Sequence, residues 1–216
     1  MDTESPPIQP SANEEHANAL SHGLACALAV VAMPALAQHS RVDEHPLRLA
    51  GVVAFLGSMA LMYLVSSVYH ALPVGRAKVQ WRRWDHAAIF VFIAGSYSPF
   101  ALVAMLRGDS GTLLAAVWAL ALTGVAAKLW LPLHRPGLST AIYVAFGLLV
   151  AAMAGPALEM MSPVGRQLFV AGGAAYLLGV VFFLLGQRLR YCHFVWHLCV
   201  IGGSACHGWT VLQAMR

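Results

Sequence analysis

The chain alternates long apolar runs with short polar breaks. Seven of the apolar runs reach about 20 residues, which is the length a helix needs to cross the hydrocarbon core of a bilayer. The breaks between them carry charge or turn-forming residues, as in the stretch from Arg107 to Asp109. This pattern predicts an all-α fold, an integral membrane seven-transmembrane helix bundle, with spans at about 19–38, 47–70, 84–106, 111–131, 138–158, 164–187 and 191–213.

Composition supports a membrane protein over a soluble domain. Hydrophobic residues make up 59% of the 216 residues and charged residues only 10%, whereas soluble domains carry about 25% charged residues. The formal net charge is +4, but the basic residues are scattered between the apolar runs. The sequence contains no basic stripe with interleaved aromatic residues, which argues against a nucleic-acid partner.

The segment 1–18 differs from the rest of the chain because it is polar, acidic and rich in proline. It has no Lys or Arg, and the first such residue in the chain is Arg41. Since a signal peptide needs a basic first region, we expect a short disordered arm here, followed by the membrane domain 19–216. Within the arm, Glu14 and Glu15 are expected to form a solvated charge pair.

Lys and Arg near the ends of the spans predict the orientation of the bundle. With the N-terminus inside, eight basic residues lie at inner ends and five at outer ends. The loop between the second and third spans supplies most of this bias. We therefore predict an inner N-terminus and an outer C-terminus.

The last apolar run contains His193 and His197, which are four residues apart. On a helix they share one face, one turn apart, and such a pair can bind one divalent metal, most commonly zinc. The alternation of spans places His70, at the end of the second span, and Asp85, at the start of the third, on the same side of the membrane. Ionisable groups at membrane depth indicate a functional site.

These residues together suggest a reaction. Three imidazoles leave the fourth tetrahedral position of zinc to water, whose pKa the metal lowers to about 7. Asp85 is placed to accept the proton of that water, and Ser66, one turn before His70 on the same helix face, is placed to donate a hydrogen bond. The predicted metal ligands are His70, His193 and His197, and the predicted catalytic residues are Asp85 and Ser66.

Simpler explanations of the same residues stay open. The pair His193 and His197 could hydrogen-bond between helices, and His70 could be an interfacial residue. Asp85 could cap the third span, where an acid suits the helix dipole. His207 lies about 15 Å from His197 along the helix axis, too far to share its metal. It could line the cavity or bond another helix.

Two further groups are less informative. His22 lies near the inner end of the first span, where it could line the same cavity, and the sequence does not assign it a role. No two cysteines have the CxxC spacing. We expect them to be small packing residues and not to form a disulfide framework. They are Cys26, Cys192, Cys199 and Cys206.

The motifs resemble those of the haemolysin III branch of the progestin and adipoQ receptor family. Residues 66–70 match its second-span motif, residues 85–90 and 94–100 its third-span signature, and residues 193–197 and 203–207 its seventh span. The resemblance covers about residues 14 to 213. It implies a seven-helix bundle with the N-terminus inside and zinc held by three histidines. Asp85 would contact the metal-bound water, with Ser66 beside it.

The wider superfamily includes alkaline ceramidases, which are similar in carrying Ser, Asp and three His at comparable places. The resemblance thus implies a Zn2+-dependent hydrolase of a lipid amide or ester, with membrane lipid as its substrate or ligand, in the plasma (inner) membrane of a bacterium. Two alternatives remain. One is a lipid- or sterol-sensing receptor with structural zinc, and the other is a membrane-permeabilising haemolysin or channel-type protein.

Overall fold

The computed structural model describes residues 9–39, 45–109, 111–131, 136–159 and 161–214. Within these ranges the chain forms helices and no strand, so the predicted all-α class is confirmed. The helices are α1 (Ala12–His39), α2 (Pro46–Ala71), α3 (Arg76–Met105), α4 (Thr112–Trp130), α5 (Pro136–Met153), α6 (Gly155–Glu159), α7 (Pro163–Leu185) and α8 (Cys192–Ala214).

Several of these helices suit a bilayer. Five are long and apolar enough to cross it, namely α2, α3, α4, α7 and the part of α1 from Ala12 to Ala35, while α5 contributes the shorter apolar stretch Gly137–Met153. The chain is therefore an integral membrane protein. The count of seven crossings and the orientation stay predictions. Three of the basic residues on which the predicted orientation rests lie outside the described residues: Arg41, Arg135 and Arg216.

Some of the predicted span boundaries differ from the structure. α3 begins at Arg76, well before the expected span start at residue 84, because Arg and Lys are good helix formers that extend the helix beyond its apolar part. The fifth span, expected at 138–158, divides into α5 and α6 at Ala154. Pro156 follows this break, and proline disrupts the preceding helical turn because it lacks an N–H and clashes with it.

Close backbone approach holds two pairs of helices together. A Cβ atom on Gly95 of α3 would overlap the Ser58 side chain of α2, and one on Gly203 of α8 would lie 2.6 Å from the ring of Tyr176 in α7. Small residues at such contacts are typical of helix packing in membranes, since they let two backbones come together. α2 with α3, and α7 with α8, thus form closely packed pairs that carry the residues of the site.

The start of α1 is fixed to the rest of the bundle by Glu14. Ser11 and Glu14 form a capping box, in which the Ser11 N–H donates to Glu14 Oε2 at 2.8 Å. The other carboxylate oxygen accepts the Tyr191 N–H at 2.7 Å, just before α8. Glu14 is only 6% exposed, so the expectation of a solvated residue is wrong. α1 already begins at Ala12, inside the segment expected to be disordered.

Candidate metal centre

Three histidines from α2 and α8 meet at one end of the bundle. His70 lies in the last turn of α2, and His193 and His197 lie in the first two turns of α8. Their ring centroids form a nearly equilateral triangle with sides of 5.1, 5.0 and 4.9 Å. One nitrogen from each ring lies within 4.8 Å of the others, so the three side chains could hold one metal ion.

Two of the three histidines are buried and the third, His193, is half-buried, which suits a metal site. His197 is 1% exposed and His70 is 4% exposed. Nε2 of His70 is buried and has no hydrogen-bond partner among the described residues. Such an unpaired polar atom is costly in an apolar interior unless a ligand binds it. Three neutral imidazoles are a known donor set for catalytic zinc, and the residues present therefore fit a zinc ion.

Glu15 also belongs to this centre, although the sequence did not predict it. Its Oε2 accepts a 2.7 Å hydrogen bond from Nδ1 of His70 and lies 3.2 Å from Nζ of Lys78. A neutral imidazole has one proton, so a proton on Nδ1 leaves the lone pair on Nε2 for a metal. Carboxylates commonly orient histidine ligands in this way. Glu15 is thus a partner of the site, and the expectation of a solvated charge pair is wrong for it too.

α1 also supports the ring of His197. Ser21 Oγ donates to the Asn18 carbonyl oxygen at 2.9 Å and lies 3.1 Å from Nδ1 of His197. It can therefore accept a hydrogen bond from Nδ1–H, which leaves the lone pair of Nε2 for a metal. The ring of His22 stacks on the ring of His197, with ring centroids 3.6 Å apart and planes 5° apart. His22 is 4% exposed, and neither of its ring nitrogens has a described partner. The residue whose role the sequence left open therefore packs directly on a predicted ligand.

A cavity of about 370 Å³ adjoins the triangle. Ser66 and Asp85 both line it, together with His193 and His197. Ser66 is 3% exposed, whereas Asp85 is half-buried. The structure thus brings the two predicted catalytic residues to a cavity that two of the three predicted ligands also line, and Asp85 and Ser66 are not hydrogen-bonded to each other. Their catalytic role stays a prediction.

His207 lies outside this centre, as its depth along the helix predicts. Its Nε2 lies 3.1 Å from the Phe169 carbonyl oxygen, and its ring stacks on the Phe169 ring with centroids 4.9 Å apart. It therefore makes an interhelical contact between α8 and α7. The cysteines are unpaired thiols in the structure, at Cys26, Cys192, Cys199 and Cys206.

Comparison with known proteins gives a consistent result over most of the chain. The profile of haemolysin-III related proteins matches residues 11–208. The chain is 36% identical to hemolysin-3 of Bacillus cereus over 200 residues, which cover 92% of this chain and 90% of that protein. It is 34% identical to the hemolysin-3 homolog of Bacillus subtilis strain 168, with 92% and 93% covered. Human monocyte to macrophage differentiation factor is 25% identical over 211 residues, with 94% and 85% covered.

Proposed function

The chain belongs to the haemolysin III branch of the progestin and adipoQ receptor family, and from this premise and the geometry of its histidines we propose that it is a zinc-dependent membrane hydrolase. The substrate class is a lipid amide or ester. The observation that carries the proposal is the triangle formed by the buried His70 and His197 and the half-buried His193, beside a cavity that Asp85 lines.

The three histidines would hold the ion through neutral imidazole nitrogens. Bound there, zinc supplies an acidified water and polarises a carbonyl group. Glu15 keeps the His70 ring in the orientation that leaves Nε2 free, and Ser21 has the same effect on His197. α1 therefore contributes no ligand but positions two of the three rings.

Proton transfer falls to Asp85. Among the described residues that line the cavity it is the only carboxylate, and an ionised carboxylate accepts a proton and later returns it. In this role its Oδ atoms take the proton of the attacking water and deliver it to the departing amine or alcohol. The hydroxyl of Ser66 donates a hydrogen bond to Asp85 or to the water.

The shape of the interior supports a lipid substrate. A second cavity of about 200 Å³ is lined mainly by apolar side chains, including Phe92, Phe100 and Leu148. Six residues line both cavities, so the two adjoin one another: Met62, Ile89, Tyr143, Val180, Trp196 and Val200. A polar chamber that continues into an apolar one suits an amphiphile, whose chain gains from burial.

The test is release of fatty acid from a panel of lipid amides and esters by zinc-loaded protein in neutral detergent. Asp85→Asn should retain the metal and lose activity by about 10²- to 10⁴-fold. Asp109→Asn is the matched control, since Asp109 is exposed beyond the end of α3, and it should leave the rate unchanged. Wild-type activity in Asp85→Asn would contradict the assigned role.

The alternatives predict different results in the same preparation. If no lipid is hydrolysed while His193→Ala lowers the melting temperature, the zinc is structural and a lipid- or sterol-sensing receptor is favoured. If the protein releases dye from liposomes equally with and without Asp85, the permeabilising reading is favoured. Either result overturns the hydrolase.

A further inference from the structure

A buried lysine on the cavity wall takes no part in the proposed hydrolysis. Lys128 lies in the last turn of α4, is 7% exposed and lines the same cavity as His193 and His197. Its Nζ donates a hydrogen bond to Ser139 Oγ and lies 5.4 Å from the ring centroid of Tyr143. No described carboxylate forms an ion pair with it. Burying an ammonium without a counter-ion is costly.

Lys78 shows what a structural lysine does in this fold. Its Nζ donates to three backbone carbonyl oxygens near the end of α2 and pairs with Glu15. It therefore uses all the donors of an ammonium group. Lys128, by contrast, has one oxygen acceptor among the described residues, a neutral hydroxyl. Two of its three N–H donors have no described acceptor.

The surroundings of Lys128 add positive charge. Arg82 and Arg83 line the same cavity from α3, and Nη1 of Arg83 donates to the Leu129 carbonyl oxygen at 3.3 Å, next to Lys128 in sequence. Against these three cations, the described lining residues include one carboxylate, that of Asp85. A concave site with this charge balance attracts an anion.

We propose that Lys128, with Arg82 and Arg83, binds an anionic group on an acyl lipid whose chain occupies the adjoining apolar cavity. This inference rests on the proposed function, since it names the head-group class of the lipid that the same site would take. A carboxylate or phosphate accepts short charge-assisted hydrogen bonds from an ammonium and a guanidinium. The contiguous apolar cavity commits the site to an amphiphile over a small soluble anion.

Two lipid amides test the charge alone. N-palmitoylglycine and N-palmitoylethanolamine carry the same acyl chain, and only the first carries a negative charge. Equilibrium binding of each radiolabelled lipid is measured in neutral detergent on the zinc-loaded full chain carrying Asp85→Asn, which limits turnover of the probe. We expect the anionic lipid to bind about tenfold more tightly. Equal affinities would overturn the proposal.

Variants of the basic residues locate the effect. Lys128→Gln should abolish the preference and leave the affinity for the neutral lipid unchanged, which also shows that the variant is folded. Should Lys128→Gln prove unstable, the double variant Arg82→Gln and Arg83→Gln provides a second test, because both residues are exposed. It should reduce the preference for the anionic lipid. Arg76→Gln is the control, because Arg76 is an exposed cation at the start of α3 outside the cavity lining. A preference that survives in Lys128→Gln would overturn the proposal.

Two further arms separate the competing explanations. N-acetylglycine has the same head group without the chain and should bind at least about a hundredfold more weakly, because most of the apolar burial is lost. Comparable binding would mean a small-anion site and would overturn the amphiphile. Binding of N-palmitoylglycine without release of palmitate by the wild-type protein would contradict the hydrolase and support the anion site. Release of palmitate from both lipids at equal rates, independent of Lys128, would support the hydrolase and contradict the anion site.

Discussion

Glu15 Oε2 accepts a 2.7 Å hydrogen bond from Nδ1 of His70, and this contact joins the first turn of α1 to the last turn of α2 inside the candidate metal centre. Lys78 lies 3.2 Å from the same carboxylate oxygen and also donates to the carbonyl oxygen of His70. The three side chains form a small network that holds the His70 ring in one orientation. We therefore expect Glu15, which is not a predicted ligand, to influence how tightly the site binds zinc.

Replacing Glu15 with glutamine tests this influence. Glu15→Gln preserves the size of the side chain but removes the charge that His70 Nδ1–H faces. We expect zinc affinity to fall by about 10- to 100-fold, measured by competition with a chelator. Glu159→Gln is the control, since Glu159 is exposed at the end of α6. Unchanged affinity in Glu15→Gln would mean that the contact does not tune the site.

Two adjacent serines of α2 separate function from packing. Ser66 lines the cavity, whereas Ser67 Oγ donates to the Ala19 carbonyl oxygen of α1 at 2.8 Å. Ser66→Ala should lower turnover of the lipid substrate with little change in melting temperature. Ser67→Ala should cost about 1 kcal/mol of unfolding free energy through the lost hydrogen bond, with turnover per folded molecule retained. The opposite pattern would show that the roles are exchanged.

Neighbouring glycines of α7 provide a test of the α7–α8 contact. A Cβ on Gly172 would overlap the His207 ring and lie 3.0 Å from the Gly203 carbonyl oxygen, while a Cβ on Gly173 would meet nothing within 4 Å. Gly172→Ala should therefore destabilise the fold by about 1–3 kcal/mol, as overpacking does. Gly173→Ala should not destabilise it, since alanine favours a helix. Thermal unfolding in detergent measures both, and equal melting temperatures would contradict this packing.

Much of the fold and of the site follows from local rules. Long apolar runs predict helices because lipid leaves the backbone no other partner. Because successive helices alternate in direction, the depth of His70 and of the pair His193 and His197 follows from the order of the spans. These rules predicted three histidines at one end of the bundle, and the structure places them together.

The missed features depend on contacts between distant helices. Glu15 stands in a polar segment, where a carboxylate usually meets water, and only the packing of α1 against α2 brings it to His70. The one indication in the sequence is that Glu15 and His70 are expected on the same side of the membrane. The burial of Lys128 was also not predictable from the sequence. A single lysine at the end of an apolar helix is equally typical of a residue that extends its ammonium group to the membrane interface. Its burial depends on the position of Ser139 and Tyr143 in α5.

The central claim is that His70, His193 and His197 hold one zinc ion, and the most direct test is the metal content of the purified protein. In detergent, without added chelator, the wild-type chain should contain about one zinc, as a three-histidine site does. The double variant His193→Ala and His197→Ala should contain almost none. The exposed pair His16 and His45 serves as control, and their replacement by alanine should leave the zinc in place. Wild-type protein without metal, or a double variant that keeps it, would contradict the claim.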